Sequence, residues 1–188
     1  MEAQKRSRLG REDWVRGALD VLRERGVDGV KIVVIAERLG VTSGSFYWHF
    51  KNLQDLLDCL LEYWERELTD AVMVVAKEFA GPPGDRILNL MVQVIDQDAA
   101  VYDPAISVWA KSDPSAKAVF ERTLRKRFDF ARWMFKQCGF SDKQAGIRGR
   151  LMVAYLMGET AADLKSNRSW KAMIREKHEV LTNRSSRT

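Results

Sequence analysis

The sequence predicts an all-α protein of about nine helices, with a short three-helix head in front of a longer helical body. Three observations carry this expectation. Apolar residues recur at spacings of three and four along most of the chain, the period of a helix with one buried face. Stops of suitable chemistry divide these runs at Gly26, Gly40, Gly81-Pro82-Pro83-Gly84, Asp113-Pro114 and Gly139. Glycine accepts positive φ, and proline lacks the N–H that a helix interior needs. No stretch shows the apolar–polar alternation of a half-buried strand.

Taken in order, residues 1–8 are polar and hold a small basic arm, Lys5, Arg6 and Arg8. Such arms are usually solvated tails, and some reach a minor groove or a phosphate. From Arg11 to Arg25, Trp14, Val15, Ala18, Val21 and Leu22 share one face. Glu12 and Asp13 in the first turn and Arg23 and Arg25 in the last complement the helix dipole, and Gly26 ends the helix. The next helix is expected from about Val30 to Leu39, with Ile35, Ala36 and Leu39 on one face and Asp28 able to cap an early start. Gly40 can close it by taking positive φ, and Thr42 or Ser43 can cap a third, short helix. There Phe46 and Phe50 share a face at i, i+4 spacing, while Ser43, Ser45, Trp48 and His49 point elsewhere.

The body opens with a long amphipathic helix, Leu53 to Phe79, marked by Leu56, Leu60, Leu61, Trp64, Leu68, Val72 and Val75. At ~1.5 Å per residue its ~28 residues span about 40 Å, enough to join a head to a second body. Further helices are expected over Asp85–Gln97, Ala105–Lys111, residues 114–138, Ser141 to about Leu164, and Ser169–Leu181, with 182–188 frayed. The division that follows is a head over residues 1–54 and a body over 55–188.

At 188 residues the chain can bury a real core. It opens with no apolar signal stretch and contains no run near the ~20 apolar residues of a membrane span, so a cytoplasmic, non-membrane protein is expected. Cys59 and Cys138 lack metal-type spacing, and His49 and His178 are the two histidines. That argues against a zinc site and for buried free thiols, with no metal or cofactor. The net charge of +5 is unevenly placed: +3 over residues 1–54, −3 over 55–164 and +5 over 165–188. Basic ends are consistent with a phosphate-facing head but do not establish one.

The chemistry concentrates in Ile35-Ala36, Gly40-Val41 and Tyr47-Trp48-His49-Phe50-Lys51. Two short helices about a Gly turn, the second crowded with aromatic and hydrogen-bonding groups, describe a helix-turn-helix whose second helix enters a DNA major groove. A plain helical corner would show aliphatics there. The same elements, over about residues 11–57, resemble the N-terminal signature of the TetR family of bacterial transcriptional repressors. The resemblance implies double-stranded DNA as partner, with Thr42, Tyr47, His49 and Lys51 on the backbone and Ser43, Gly44, Ser45 and Trp48 against base edges. With no Arg, Asn or Gln in the reading helix, specificity leans on DNA shape as well. Two places depart from the family pattern. Lys31, Val33 and Val34 stand where a capping Thr or Ser and polar residues are usual, and Leu53 stands where a phosphate-contacting Lys is common.

One helix-turn-helix reads few base pairs, so a homodimer on a two-fold symmetric operator is expected. Leu151, Tyr155, Gly158, Ala162, Trp170, Met173, Ile174 and Leu181 on the last two long helices are its interface candidates; intrachain core is the competing reading. The aromatic and methionine-rich middle suggests a pocket for a small apolar or aromatic effector, at Trp64, Met91, Tyr102, Trp109, Phe120, Phe128, Met152 and Tyr155. Plain core is again the alternative. An all-α enzyme is disfavoured: Asp96, Asp98, Asp103, Glu62, Glu65 and Glu159 come with no Glu-x-x-His pair, no Ser or Cys nucleophile with a His base, and no Gly-rich phosphate loop. A helix-turn-helix kept for protein contacts alone, without a ligand, is the remaining alternative.

Overall fold

A computed structural model describes residues 9–161 and 169–183. Among them are nine α-helices and no strand, and the chain divides into two compact units, Met1–Tyr63 and Trp64–Thr188. The basic arm lies outside the described residues.

In the first unit, α1 (Arg11–Arg25) starts at Gly10, whose N–H donates to the Asp13 carboxylate at 2.7 Å. Its inner face buries Trp14, Ala18, Leu19 and Leu22 completely. Gly17 lies on that face as well, and a Cβ there would stand 3.3 Å from Ile35, so its missing side chain lets α2 cross closely. Gly26, at φ 69°, returns its N–H to Leu22 and breaks the helix.

The next helix, α2 (Ile32–Leu39), begins later than the sequence suggests. Asp28 sits inside a single 3-10 turn, Val27–Gly29, and does not cap α2. Val30 then takes an extended conformation that carries its side chain into the core. Lys31 is left at the N-cap, and its side chain satisfies no orphan N–H. Gly40 adopts the left-handed conformation at φ 67°, and Val41 N–H reaches back to Ala36 O at 3.0 Å. This bond closes α2 as a Schellman-type end. The third element is a 3-10 helix over Ser43–Trp48, tighter than the α-helix expected. α3 (Leu53–Glu65) opens on Asn52, whose side chain accepts from Asp55 N–H at 2.9 Å, while Asp55 accepts from Lys51 N–H at 3.0 Å.

Helical backbone continues beyond α3 into α4 (Ala71–Glu78), but through a π turn at Arg66–Asp70. The long helix expected to Phe79 is therefore irregular in the middle and stops one residue early, where Phe79 turns extended. The second unit continues with α5 (Pro83–Asp96), α6 (Asp103–Trp109), α7 (Pro114–Gln137), α8 (Asp142–Ala161) and α9 (Trp170–Thr182). Asp113 caps α7 by accepting from Ala116 N–H at 2.8 Å. Ser141 and Gln144 form a reciprocal box at the start of α8. The core joins Ile87, Met91 and Ile95 of α5 to Phe130, Met134 and Phe135 of α7, Met152 and Leu156 of α8, and Ile174 of α9. α7 and α8 form the most extensive helix pair. A Cβ on Gly149 would lie only 3.0 Å from Arg132 N, so a glycine is what admits that approach. Among the described residues no helix is long and apolar enough to cross a membrane.

Candidate nucleic-acid interface and effector cavity

The reading segment of the head is built on two phenylalanines. Phe46 is fully buried, edge-on to Trp14 at 5.4 Å and stacked on Phe50 at 5.3 Å. With these two rings fixed inward, the residues between and before them face out. Tyr47 is 65% exposed and Trp48 is 87% exposed, which for an indole is far from any core role. Thr42, Gly44 and Lys51 are exposed as well, and Ser43, Ser45 and His49 are half-buried. Five of the eight DNA-facing candidates are therefore exposed and three are half-buried, all within residues 42–51. The Ser45 hydroxyl donates to Thr42 O at 2.7 Å, so its proton is committed and its lone pairs remain to accept.

Arg11, which sequence reasoning passed over, braces this segment from behind. Its guanidinium donates to His49 O at 2.5 Å, to Asp55 Oδ1 at 3.1 Å and to Cys59 Sγ at 2.8 Å, and lies 4.4 Å over the Phe50 ring. The Lys51 N–H and then the Arg11 cation hold the Asp55 carboxyl below its ordinary range. Partners 38 to 48 residues away leave no local sequence signal. Arg38 grips Glu24 with two bonds of 2.8 and 2.9 Å, tying α2 to α1. Of the departures noted in the sequence, Val33 is 62% exposed, while Val34 and Leu53 are half-buried. The head's outer surface is correspondingly apolar in part.

In the second unit a cavity of about 60 Å³ opens among Leu68, Val72, Met73, Leu90, Val94, Phe130, Met152, Val153, Leu156 and their neighbours. Two polar side chains reach its wall, Thr69 of the π turn and Arg127 of α7. Arg127 donates from Nε and Nη2 to Thr69 Oγ1 at 3.0 and 2.7 Å, and pairs with Asp103 through Nη1 and Nη2. Asp103 is completely buried and also accepts from the Trp64 indole N–H at 2.8 Å. Alongside, Glu65 accepts from both Arg122 and Lys126, and these bonds hold its carboxyl down to about 2.

Of the eight pocket candidates, Met152 lines this cavity. Trp64 is core, stacked on Phe120 at 6.0 Å and bonded to Asp103; Met91 and Trp109 are core too. Phe128 lies under Arg150 at 4.7 Å and Tyr155 under Lys177 at 4.4 Å, while Tyr102 is half-buried. Among the interface candidates, Leu151 and Gly158 are exposed, Tyr155, Trp170, Met173 and Leu181 are half-buried, and Ile174 is buried in its own unit. Ala162 lies outside the described residues. α8 is apolar on both sides: Met152, Val153 and Leu156 face the core, while Ile147 and Leu151 stand 53% and 56% exposed on the other face.

Residues 15–60 match the family model described as bacterial regulatory proteins, tetR family. The tetracycline repressor protein class A from transposon 1721 of Escherichia coli is 54% identical over 48 residues, which are 26% of this chain and 22% of that protein. The chain covers about a quarter of the length of such tetracycline repressors. The likeness of fold runs further. A TetR transcriptional regulator from Legionella pneumophila superposes with a TM-score of 0.74 at 11% identity, covering 95% of this chain and 98% of that one. A transcriptional regulator from Saccharomonospora viridis, solved in complex with choline, gives a TM-score of 0.69 at 16% identity over 90% of this chain and 93% of that one.

Proposed function

For a chain that belongs to the tetR family of bacterial regulatory proteins through its N-terminal domain, we propose the role of a cytoplasmic, dimeric repressor whose operator binding responds to a small molecule. The observation that carries this reading is the outward segment Thr42–Lys51, held by two inward phenylalanines and offering hydroxyl, phenol, indole, imidazole and ammonium groups in sequence. Residues 1–54 form the DNA-reading domain and 55–188 the regulatory and dimerisation domain.

Thr42, Tyr47, His49 and Lys51 supply donors to phosphate, and Ser43, Gly44, Ser45 and Trp48 meet the base edges. Hydroxyls accept or donate with little base preference, so operator symmetry and DNA shape share the specificity. Symmetry requires a second copy. The exposed face of α8, with Ile147, Leu151 and Gly158, suits self-association: its apolar side chains otherwise face water, and a Cβ at Gly158 would meet nothing. Trp170, Met173 and Leu181 of α9 extend the apolar supply. The effector enters the Met- and Val-lined cavity of the second unit.

Selection of bound duplexes from a random pool, with and without a metabolite panel, tests these points together. The expected product is a two-fold symmetric site, and Tyr47→Ala or His49→Ala weakens its binding at least tenfold with little loss of stability. Recovery of no enriched duplex at low salt, or unchanged affinity in both variants, would remove the DNA-reading assignment. Sedimentation at micromolar concentration should give twice the chain mass.

A further inference from the structure

The cavity's wall constrains the charge of what it can hold. Among the described residues it is aliphatic, methionine and one aromatic, Phe130, with Thr69 and Arg127 as its polar edge. Arg127 brings a positive charge, but Asp103 neutralises it from a position with no access to water. Four of the five guanidinium N–H groups are occupied, two by Thr69 and two by Asp103. Among the described residues one Nη1 N–H and the Thr69 hydroxyl proton are left without a partner, and both are donors.

Three classes of ligand can be weighed against this wall. An anion would find the Arg127 charge already neutralised by Asp103; to claim that charge it would have to draw Arg127 away, leaving a fully buried carboxylate with, among the described residues, only the Trp64 N–H at 2.8 Å. Stranding a buried charge in that way is strongly unfavourable. A cation would meet Arg127 with no carboxylate on the cavity wall, and a single aromatic ring makes no cage for a quaternary ammonium group. A neutral molecule meets neither obstacle, and an acceptor oxygen would satisfy the two remaining donors.

We infer that the ligand of this cavity is an uncharged, largely apolar molecule with one acceptor oxygen, such as a ketone, ester or ether, and that the Arg127–Asp103 pair excludes ions. The inference deepens the reading of the second unit as the effector domain and rests on it. Size adds a condition. At about 60 Å³ the space is well below the ~150 Å³ that admits benzene. Met73, Met152 and Met157 line it, and their unbranched side chains are the ones able to turn aside as a ligand enters.

The test uses the full-length protein with carbon-13 methyl-labelled methionine and three probes of similar size: 2-pentanone, butanoate and butylammonium. The expected result is saturable shifts of the Met73, Met152 and Met157 methyl signals with 2-pentanone, at a Kd at least tenfold below that of either ion. Asp103→Asn, which frees the guanidinium charge, is expected to strengthen butanoate binding at least tenfold over wild type. Butanoate or butylammonium binding wild type as well as the ketone does would overturn the exclusion of ions while leaving an effector cavity in place. Failure of all three probes to move these methyls would overturn the inference together with the effector role, and the duplex selection without metabolites would still report on DNA reading. If Asp103→Asn loses the dispersed methyl spectrum of the folded protein, the wild-type comparison decides.

Discussion

Glu65→Gln is the substitution whose consequence follows most directly from the structure. Glu65 is 7% exposed and accepts two bonds from Arg122, one from Nε at 2.8 Å and one from Nη2, and a third from Lys126 at 2.9 Å. Lys126 also bonds Asp70 at 3.0 Å. The two carboxylates stand at either end of the π turn, five residues apart, and α7 answers them with cations one helical turn apart. Arg122 and then Lys126 lower the Glu65 carboxyl from an ordinary 4.5 to about 2, against the opposing effect of burial. Such a change corresponds to at most roughly 3–4 kcal/mol of stability at neutral pH. Arg122 and Lys126 are 49% and 38% exposed, so solvent screens the pair, and roughly 1–2 kcal/mol is the working expectation. Because both cations can return to water, the variant strands no buried charge. The sign follows from a folded-state value below the unfolded one: stabilisation is complete above about pH 4.5 and declines as pH falls towards 2. By linkage, less than about half of it remains at pH 3. Urea unfolding of wild type and variant at pH 7, 5, 4 and 3 should therefore show a gap that is constant down to pH 5 and then narrows. A gap independent of pH would refute the electrostatic account and leave only lost packing; no gap at pH 7 would refute the contribution itself.

Three further substitutions test other parts of the structure. Phe46→Ala should destabilise the head by about 3–5 kcal/mol, because it empties a fully buried ring site against Trp14 and Phe50, and amide exchange across α1–α3 would register it. Gly149→Ala should cost about 1–3 kcal/mol in urea unfolding, since its Cβ would press on the α7 backbone 3.0 Å away; an unchanged midpoint would mean that α7 and α8 separate freely. Arg127→Met should cost about 3–5 kcal/mol through the stranded Asp103 carboxylate, and adding Asp103→Leu should restore much of the loss. Equal stability of the single and double variants would count against a buried ion pair.

Sequence pattern and structure agree where the determining contacts are local, and part where they are not. Gly40 announces a positive φ, and the Phe46–Phe50 spacing announces which side of the reading segment turns inward; both depend on residues within one or two turns. The start of α2 departs from the sequence expectation because Val30 is drawn into the core in extended form, a tertiary demand that outweighs Asp28 as a cap. The π turn was hidden for a similar reason. Thr69 looks ordinary in an amphipathic run, and its burial is intelligible only with Arg127, 58 residues further on. Large aromatic side chains mark where a core is full: Trp64 and Phe120 occupy each other's faces, and Trp109 is buried in packing. Space survives where helices meet through smaller or more pliable groups, here Val72, Val94, Ala99, Ala100 and Ala131 beside three methionines. A pocket is a property of what four helical segments fail to fill together. Its residues carry no periodic signature apart from that of the core, so in a helical unit of this kind the polar intruders into an apolar face, Thr69 and Arg127, are the more informative positions to seek.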